Sequence, residues 1–310
     1  MRVRRRRGAS QAGMKVGEVS EYWKARLEQM GQRQMDDLRS IGAAGLSAAP
    51  VDSGGDFPSL LRRQGFSPAV VTLPASGGLN RTALVQTEAT TILAFKFADG
   101  ILMAGDRRAT AGNLVVYHRA DKVLQIDSHS LMAIAGVPAT AWEMARMLEH
   151  SFQFYRRSQL QEMSLDGKVR ALSKLLRDNL GLVLQGVGVV IPLFATFDTA
   201  ADAARLYFYD AMGAQFEVTD YAASGSGSGA VRSILHYENT WGKFRLRDLD
   251  ENEALVVALR SLETAAESDT ATGGIDRRGS VYPLVKIISR TGIRTLSETE
   301  LEQVFRQRVV

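Results

Sequence analysis

The chain contains no cysteine. This excludes disulfides and thiolate metal sites, and it fits a reducing compartment. Histidine is nearly as scarce. His118, His129, His150 and His236 form no HExxH or His-x-His pattern, so neither a zinc site nor a serine triad has support. A secretory leader is also missing, because MRVRRRRGASQAG supplies the charges but no apolar stretch follows them. One uncharged run, Leu180–Phe197, reaches the length of a membrane span. Gln185, Pro192 and the glycines 181, 186 and 188 interrupt it. It reads as the end of a helix, a turn at Gly186–Gly188 and a buried strand from Val189 to Phe197. No solenoid, collagen or mucin periodicity is present. These absences together predict a soluble, cytoplasmic protein with no membrane association.

What is present is a chain of 310 residues, 45% hydrophobic, long enough for one or two domains with a sizeable core. The net charge of +4 is unevenly placed. Residues 1–89 carry 13 basic and 8 acidic side chains, a net of +5, whereas residues 90–310 carry 25 and 26, a net of −1. The basic cluster Arg4–Arg7 is short enough to be a solvated tail, and nucleic-acid binding is not expected. Within the first segment, Ser20 to Ser40 reads as a helix, with Tyr22, Leu27, Met30 and Leu38 as its apolar positions. Ile41–Pro58 is a loop tract rich in Gly, Ala, Ser and Pro. FPSLL and FSPAVV are short apolar patches suited to docking on a partner.

From Thr90 onward the pattern becomes regular. Thr91–Phe97 and Ile101–Gly105 read as a hairpin about Ala98-Asp99-Gly100, and Lys122–Ile126 with Ser130–Ala135 as a second strand pair. Two amphipathic helices follow. Met144, Met147, Leu148, Phe152 and Tyr155 share a face of the first; Val169, Leu172, Leu176, Leu180 and Val183 share a face of the second. Strands are expected at Val189–Phe197, Arg205–Asp210, Gln215–Tyr221, Pro283–Ile288 and Ile293–Leu296, and helices near Gly229–Glu238, Asn252–Ala266 and Glu298–Arg308. This order predicts an α+β fold of layered sheets and helices.

The chemistry concentrates at Thr90-Thr91. Asp106 lies sixteen residues after Thr90, and Lys122 sixteen after that. A threonine hydroxyl is a weak nucleophile until a base takes its proton. The α-amine of the same residue has a pKa near 8 and can act as that base, but only if the chain is cut between Ala89 and Thr90. Lys122 would then hold positive charge beside the hydroxyl and amine, with Asp106 pairing with it. Taken singly, each residue has an ordinary explanation: strand propensity for the threonines, a strand end for Gly-Asp, a solvated edge charge for the lysine. The joint spacing points the other way.

TTILAFKFADGILMAGDRRATAGN, followed by GSGSG at 225–229 and SDTATGG at 268–274, resembles the mature start and later motifs of a proteasome β-subunit of the actinobacterial kind. That family is the threonine peptidase branch of the N-terminal nucleophile hydrolases, and the resemblance runs from Thr90 to about Lys286. It implies a four-layer αββα sandwich, a self-cleaved pro-peptide at 1–89 and a peptidase domain at 90–310. The implied catalytic set is Thr90, Asp106 and Lys122, supported by Ser226, Asp269 and Thr272. Gly136 would supply an oxyanion N–H, and substrate would lie extended between the backbone around Thr110 and that around Gly136. Ala109, Ala120, Ile134 and the stem of Lys122 would line a pocket favouring apolar side chains. No cofactor is implied. The implied partners are proteasome α-subunits, other β-subunits in a seven-membered ring, and unfolded proteins delivered by a ring ATPase. Two positions depart from the family pattern: Ala89 replaces the usual glycine before the cut, and Pro138 replaces an alanine whose N–H binds substrate. Two other readings stand beside it: a ring subunit that never matures, against which the retention of Thr90, Asp106 and Lys122 argues, and the simpler two-ring threonine peptidase, whose subunits also open with Thr-Thr but against which the long segment before Thr90 and SDTATGG argue.

Overall fold

The computed structural model describes residues 90–111, 114–276 and 281–308. The helix and docking patches expected before Thr90 lie outside these residues. Twelve strands and six α-helices are described. The strands are β1 (Thr91–Phe97), β2 (Gly100–Gly105), β3 (Ala109–Ala111), β4 (Leu114–Tyr117), β5 (Val123–Asp127), β6 (Ser130–Ala133), β7 (Leu193–Asp198), β8 (Ala203–Tyr209), β9 (Gln215–Val218), β10 (Tyr221–Gly225), β11 (Leu284–Ser289) and β12 (Gly292–Thr295). The helices are α1 (Pro138–Gln159), α2 (Leu165–Asp178), α3 (Leu180–Leu184), α4 (Ser228–Trp241), α5 (Glu251–Ser268) and α6 (Glu298–Arg308).

Two antiparallel sheets of five strands carry the fold, in the orders β10-β1-β2-β11-β12 and β5-β6-β7-β8-β9, with β3-β4 as a separate ribbon. Alternation along β1 and β2 shows why they stack. Ile92, Ala94, Ile101 and Met103 point toward Val123, Leu131, Leu193 and Leu206 of the second sheet, forming a core between the sheets. Leu93, Phe95, Leu102 and Ala104 point the other way, into a core with Val231 and Leu235 of α4 and Leu255, Leu259 and Leu262 of α5. On the far side, Met132 and Phe194 of the second sheet pack with Leu148 and Phe152 of α1 and Leu172 and Leu176 of α2. The chain therefore forms four layers, helix, sheet, sheet, helix, as expected. Strands buried on both faces read as continuous apolar runs, which accounts for TILAF and GILMA. Truncating a residue such as Leu93, fully buried, would cost about 2–5 kcal/mol.

Helix starts follow their sequence signals. Asp250 and Glu253 form a reciprocal capping box on α5, with Glu253 N–H donating to Asp250 at 2.8 Å. Ser164 caps α2 through Gly167 N–H. Pro138 stands in the first turn of α1, where its missing N–H breaks no intrahelical bond.

Four details differ from the sequence expectation. The second amphipathic helix, expected to run on through Leu180 and Val183, ends as α2 at Asp178, and those two residues lie in the separate short helix α3. The stretch expected as one strand, Gln215–Tyr221, is two: β9 ends at Val218 in one sheet, and β10 begins at Tyr221 in the other. The change of sheet occurs at Thr219-Asp220, where Lys96 N–H donates to Asp220 C=O. Alternation continues across such a crossing and does not reveal it. The β3-β4 ribbon was not anticipated, and all four residues of β4 are exposed. The strand expected from Val189 is an isolated bridge at Val190 followed by β7 from Leu193, with Pro192 between them.

Candidate active site

Asp106 follows directly on β2, where the end of β2 lies beside the start of β1. Its carboxylate is fully buried and accepts from four donors. Oδ1 receives Thr91 N–H at 2.8 Å and Lys122 Nζ at 2.7 Å. Oδ2 receives the N–H groups of Arg108 and Gly273, both at 2.9 Å. These fill the positions a carboxylate offers. Asp106 also donates its own N–H to Thr91 C=O, so it holds Thr91 at both backbone atoms.

Lys122 stands just before β5, is 4% exposed and forms the buried ion pair with Asp106. Gly105 makes room for it, since a Cβ there would lie 3.3 Å from Lys122 Cβ. Burial pushes the Lys122 ammonium below the ordinary lysine value, and the attraction of Asp106 only partly offsets this.

The second group assembles from distant sequence. Asp269, the residue that ends α5, accepts Ser226 Oγ–H at 2.6 Å and Thr272 Oγ–H at 2.5 Å on the same oxygen, Oδ2. Ala271 N–H donates to its Oδ1. Burial alone would raise the Asp269 carboxyl; the hydrogen bonds from Ser226, Thr272 and Ala271, with the Lys122 charge, outweigh it and hold the pKa below the usual aspartate value. Ser226 reaches Thr90 through its backbone, its N–H donating to Thr90 C=O at 3.0 Å. Thr90 itself is buried. The structure thus brings Thr90, Asp106, Lys122, Ser226, Asp269 and Thr272 into one network.

Glycines make this closeness possible. Gly225 has φ +96°, and a Cβ there would meet Thr90 O at 1.8 Å. At Gly227 a Cβ would meet Thr91 Oγ1 and Thr272 Oγ1, each at 2.7 Å. The run SGSGSG, which alone reads as a flexible linker, is the end of β10 and the lead into α4. Gly225→Ala is expected to push β10 off Thr90 and break the Ser226–Thr90 bond. A loss of about 2–4 kcal/mol follows from backbone strain plus one hydrogen bond, to be read from denaturant unfolding.

The remaining expected residues flank this network. Gly136 has φ +113°, and its backbone bridges Val190; a Cβ would meet Val189 O at 2.0 Å. Ala120 and Ile134 are buried, and Ile134 N–H donates to Lys122 C=O at 2.9 Å. Thr110 is buried, and Ala109 and Thr110 belong to the short ribbon strand β3. Ala89 lies outside the described residues. Sequence reasoning did not anticipate the hydroxyl of Thr91, fully buried and bonded to Thr272 Oγ at 2.5 Å and to Gly227 N–H at 2.9 Å. The one available signal was its place beside Thr90. Among the described residues no group of acidic or histidine side chains is arranged to hold a metal, and no helix is long and apolar enough to cross a membrane.

Comparison with known proteins agrees with this layout. The family model described as "Proteasome subunit" matches residues 87–277. A "Proteasome subunit beta" of Acidimicrobium ferrooxidans is 37% identical over 253 residues, covering 82% of this chain and 88% of that protein. "Proteasome subunit beta 2" of Thermomonospora curvata is 39% identical over 69% of this chain and 74% of its own length. "Proteasome subunit beta" of Streptomyces griseus is 36% identical over 70% and 75%. With an αββα sandwich and a match across most of the region that builds the buried network, the chain belongs to the proteasome subunit family.

Proposed function

We propose that this chain is the catalytic β-subunit of a proteasome core and hydrolyses peptide bonds through the hydroxyl of Thr90. The observation that carries the reading is the buried Lys122–Asp106 pair set against Thr91, with Ser226 and Asp269 on the side of the Thr90 carbonyl. A lysine ammonium is costly to bury. At 4% exposure, Lys122 bears that cost directly beside Thr90-Thr91.

In this reading residues 1–89 are a pro-peptide: Thr90 Oγ attacks the Ala89 carbonyl, the Ala89–Thr90 amide opens to leave an ester on Oγ and a free α-amine, and water hydrolyses that ester to release residues 1–89. The freed α-amine then serves as base, directly or through a water, while Oγ attacks the substrate carbonyl. Lys122 stabilises the developing charge at Oγ, and Asp106 fixes Lys122. Ser226, Asp269 and Thr272 orient the amine. The N–H of Gly136 stabilises the oxyanion. The amine fragment of the cut peptide leaves with the proton the α-amine had taken, and water then hydrolyses the acyl-enzyme on Thr90, which releases the other fragment and restores the hydroxyl.

Substrate would add as an extended strand between Thr110 and Gly136, with its side chain among Ala109, Ala120, Ile134 and the Lys122 stem. No carboxylate stands among these residues, so apolar side chains are favoured at the cut. Pro138 removes one donor from that edge while serving α1 as a helix-starting residue. Binding therefore relies more on the side-chain pocket.

The partners in this reading are α-subunits, further β-subunits in a seven-membered ring, and a ring ATPase that delivers unfolded protein. Co-expression with an α-subunit tests the proposal. Assembled particles are expected to cleave an unfolded protein and fluorogenic peptides with leucine or phenylalanine before the cut, at least tenfold faster than peptides with aspartate there. Particles that assemble with residues 1–89 still attached and cleave neither would fit a ring subunit that never matures and overturn the proposal.

A further inference from the structure

We infer that Thr91 is a positioning residue that ties the Ser226–Asp269–Thr272 group, held through its buried hydroxyl, to the Asp106–Lys122 pair, held through its backbone N–H and C=O. The inference rests on the reading of Thr90 as the nucleophile. Proton accounting sets the direction of each bond. Asp269 Oδ2 accepts from both Ser226 Oγ and Thr272 Oγ. A hydroxyl has one proton to give, so the proton of Thr272 is committed to Asp269. In the 2.5 Å contact between Thr91 Oγ and Thr272 Oγ, Thr91 is therefore the donor. Its oxygen in turn accepts Gly227 N–H at 2.9 Å.

The bonds close a ring. From Gly227 N–H the path runs through Thr91 and Thr272 to Asp269, which also holds Ser226, and Ser226 N–H returns to Thr90 C=O. Asp106 grips the other side of Thr91, accepting its N–H and donating to its C=O. Every polar atom of Thr91 is engaged, and its side chain is fully buried. Gly227 is part of the same device, because any Cβ there would collide with both hydroxyls at 2.7 Å. A threonine kept only for strand propensity would not need its oxygen, and valine would fill the same shape. Here the oxygen fastens the Thr272 group to a residue whose backbone Asp106 grips, so one residue beside Thr90 joins two groups from distant sequence positions.

The test uses full-length chain in assembled particles, comparing wild type with Thr91→Val, Thr91→Ser, Thr272→Val and the Thr91→Val/Thr272→Val pair, with Thr90→Ala as control. Thr91→Val keeps the shape and removes the hydroxyl. It is expected to lower kcat ten- to hundredfold with KM within about threefold, and to slow the release of residues 1–89. Thr91→Ser is expected to restore most of the lost rate. The double variant is expected to lose little more than the worse single one, as for residues acting in one network. If Thr91→Val does not assemble, Thr91→Cys takes its place, since a thiol donates only weakly; kcat is then expected to fall about three- to tenfold at unchanged KM, and a value within twofold of wild type overturns the inference. A Thr91→Val particle within twofold of wild type, with Thr90→Ala inactive, overturns this inference and leaves the nucleophile standing. Full activity in Thr90→Ala would overturn the reading on which it rests.

Discussion

Replacing Thr90 by alanine is expected to abolish peptide hydrolysis and to leave residues 1–89 attached to a folded chain. Both losses would follow from one hydroxyl, because in the proposed reading the oxygen that attacks the Ala89 carbonyl is the one that later attacks substrate. Removing a nucleophile of this kind costs about 10⁴-fold or more in kcat. The fold should tolerate the change, since β1 begins at Thr91 and the apolar pairing of β1 with β2 and β10 does not involve the Thr90 side chain. Thr90→Ser should still mature and turn over, more slowly, because it lacks the methyl that restricts the side-chain rotamer. A chain expressed directly from Thr90 should bypass the poor cleavage context at Ala89 and be active wherever assembly does not need residues 1–89. Normal processing of Thr90→Ala would mean that another protease makes the cut.

Lys122→Ala is expected to remove both self-cleavage and turnover, by 10³-fold or more. Retained turnover within tenfold, about 1.4 kcal/mol of barrier, would make the lysine a bystander. The change also leaves the Asp106 carboxylate buried without its ion. Breaking a buried pair costs about 3–5 kcal/mol. The three backbone N–H donors that remain, from Thr91, Arg108 and Gly273, place the expected cost near the lower end. Lys122→Arg should not rescue, because a larger planar guanidinium cannot take the place of an ammonium buried against Asp106 at 2.7 Å.

The same lysine shapes the pH dependence. Its folded pKa lies below the ordinary value, so between that pKa and about 10.4 the unfolded chain binds more protons. Its contribution to stability therefore rises with pH across that window. Activity should move the opposite way there, falling as Lys122 loses its charge. On the acid side, activity should fall as the α-amine protonates near pH 8. A bell-shaped profile is the expected result.

Much of this arrangement was legible in the sequence because it is local. Thr90, Asp106 and Lys122 sit at the starts and ends of strands whose apolar runs and turns mark their own boundaries, so equal spacing along the chain became proximity in space. The helices were legible from one-sided apolar spacing and from caps such as Asp250 with Glu253. What was hidden depends on tertiary pairing. Nothing in Gln215–Tyr221 says that the chain leaves one sheet at Val218 and enters the other at Tyr221. The glycines of SGSGSG and TATGG carry no side chain to classify; their purpose appears only when Thr90, Thr91 and Arg108 are seen packed against them. Thr91 was hidden for a related reason, since a threonine in a strand is ordinary until its hydroxyl is found beside Thr272, 181 residues away.

The account stands most directly on where the mature chain begins, and the intact mass of the subunit from assembled particles measures that. The expected mass is that of residues 90–310, with Thr90 as the amino terminus. A terminus at Thr91 would contradict it, because the N–H that Asp106 binds would become the amine and the hydroxyl would be the one locked between Gly227 and Thr272. So would an uncut chain in particles that hydrolyse peptides at full rate.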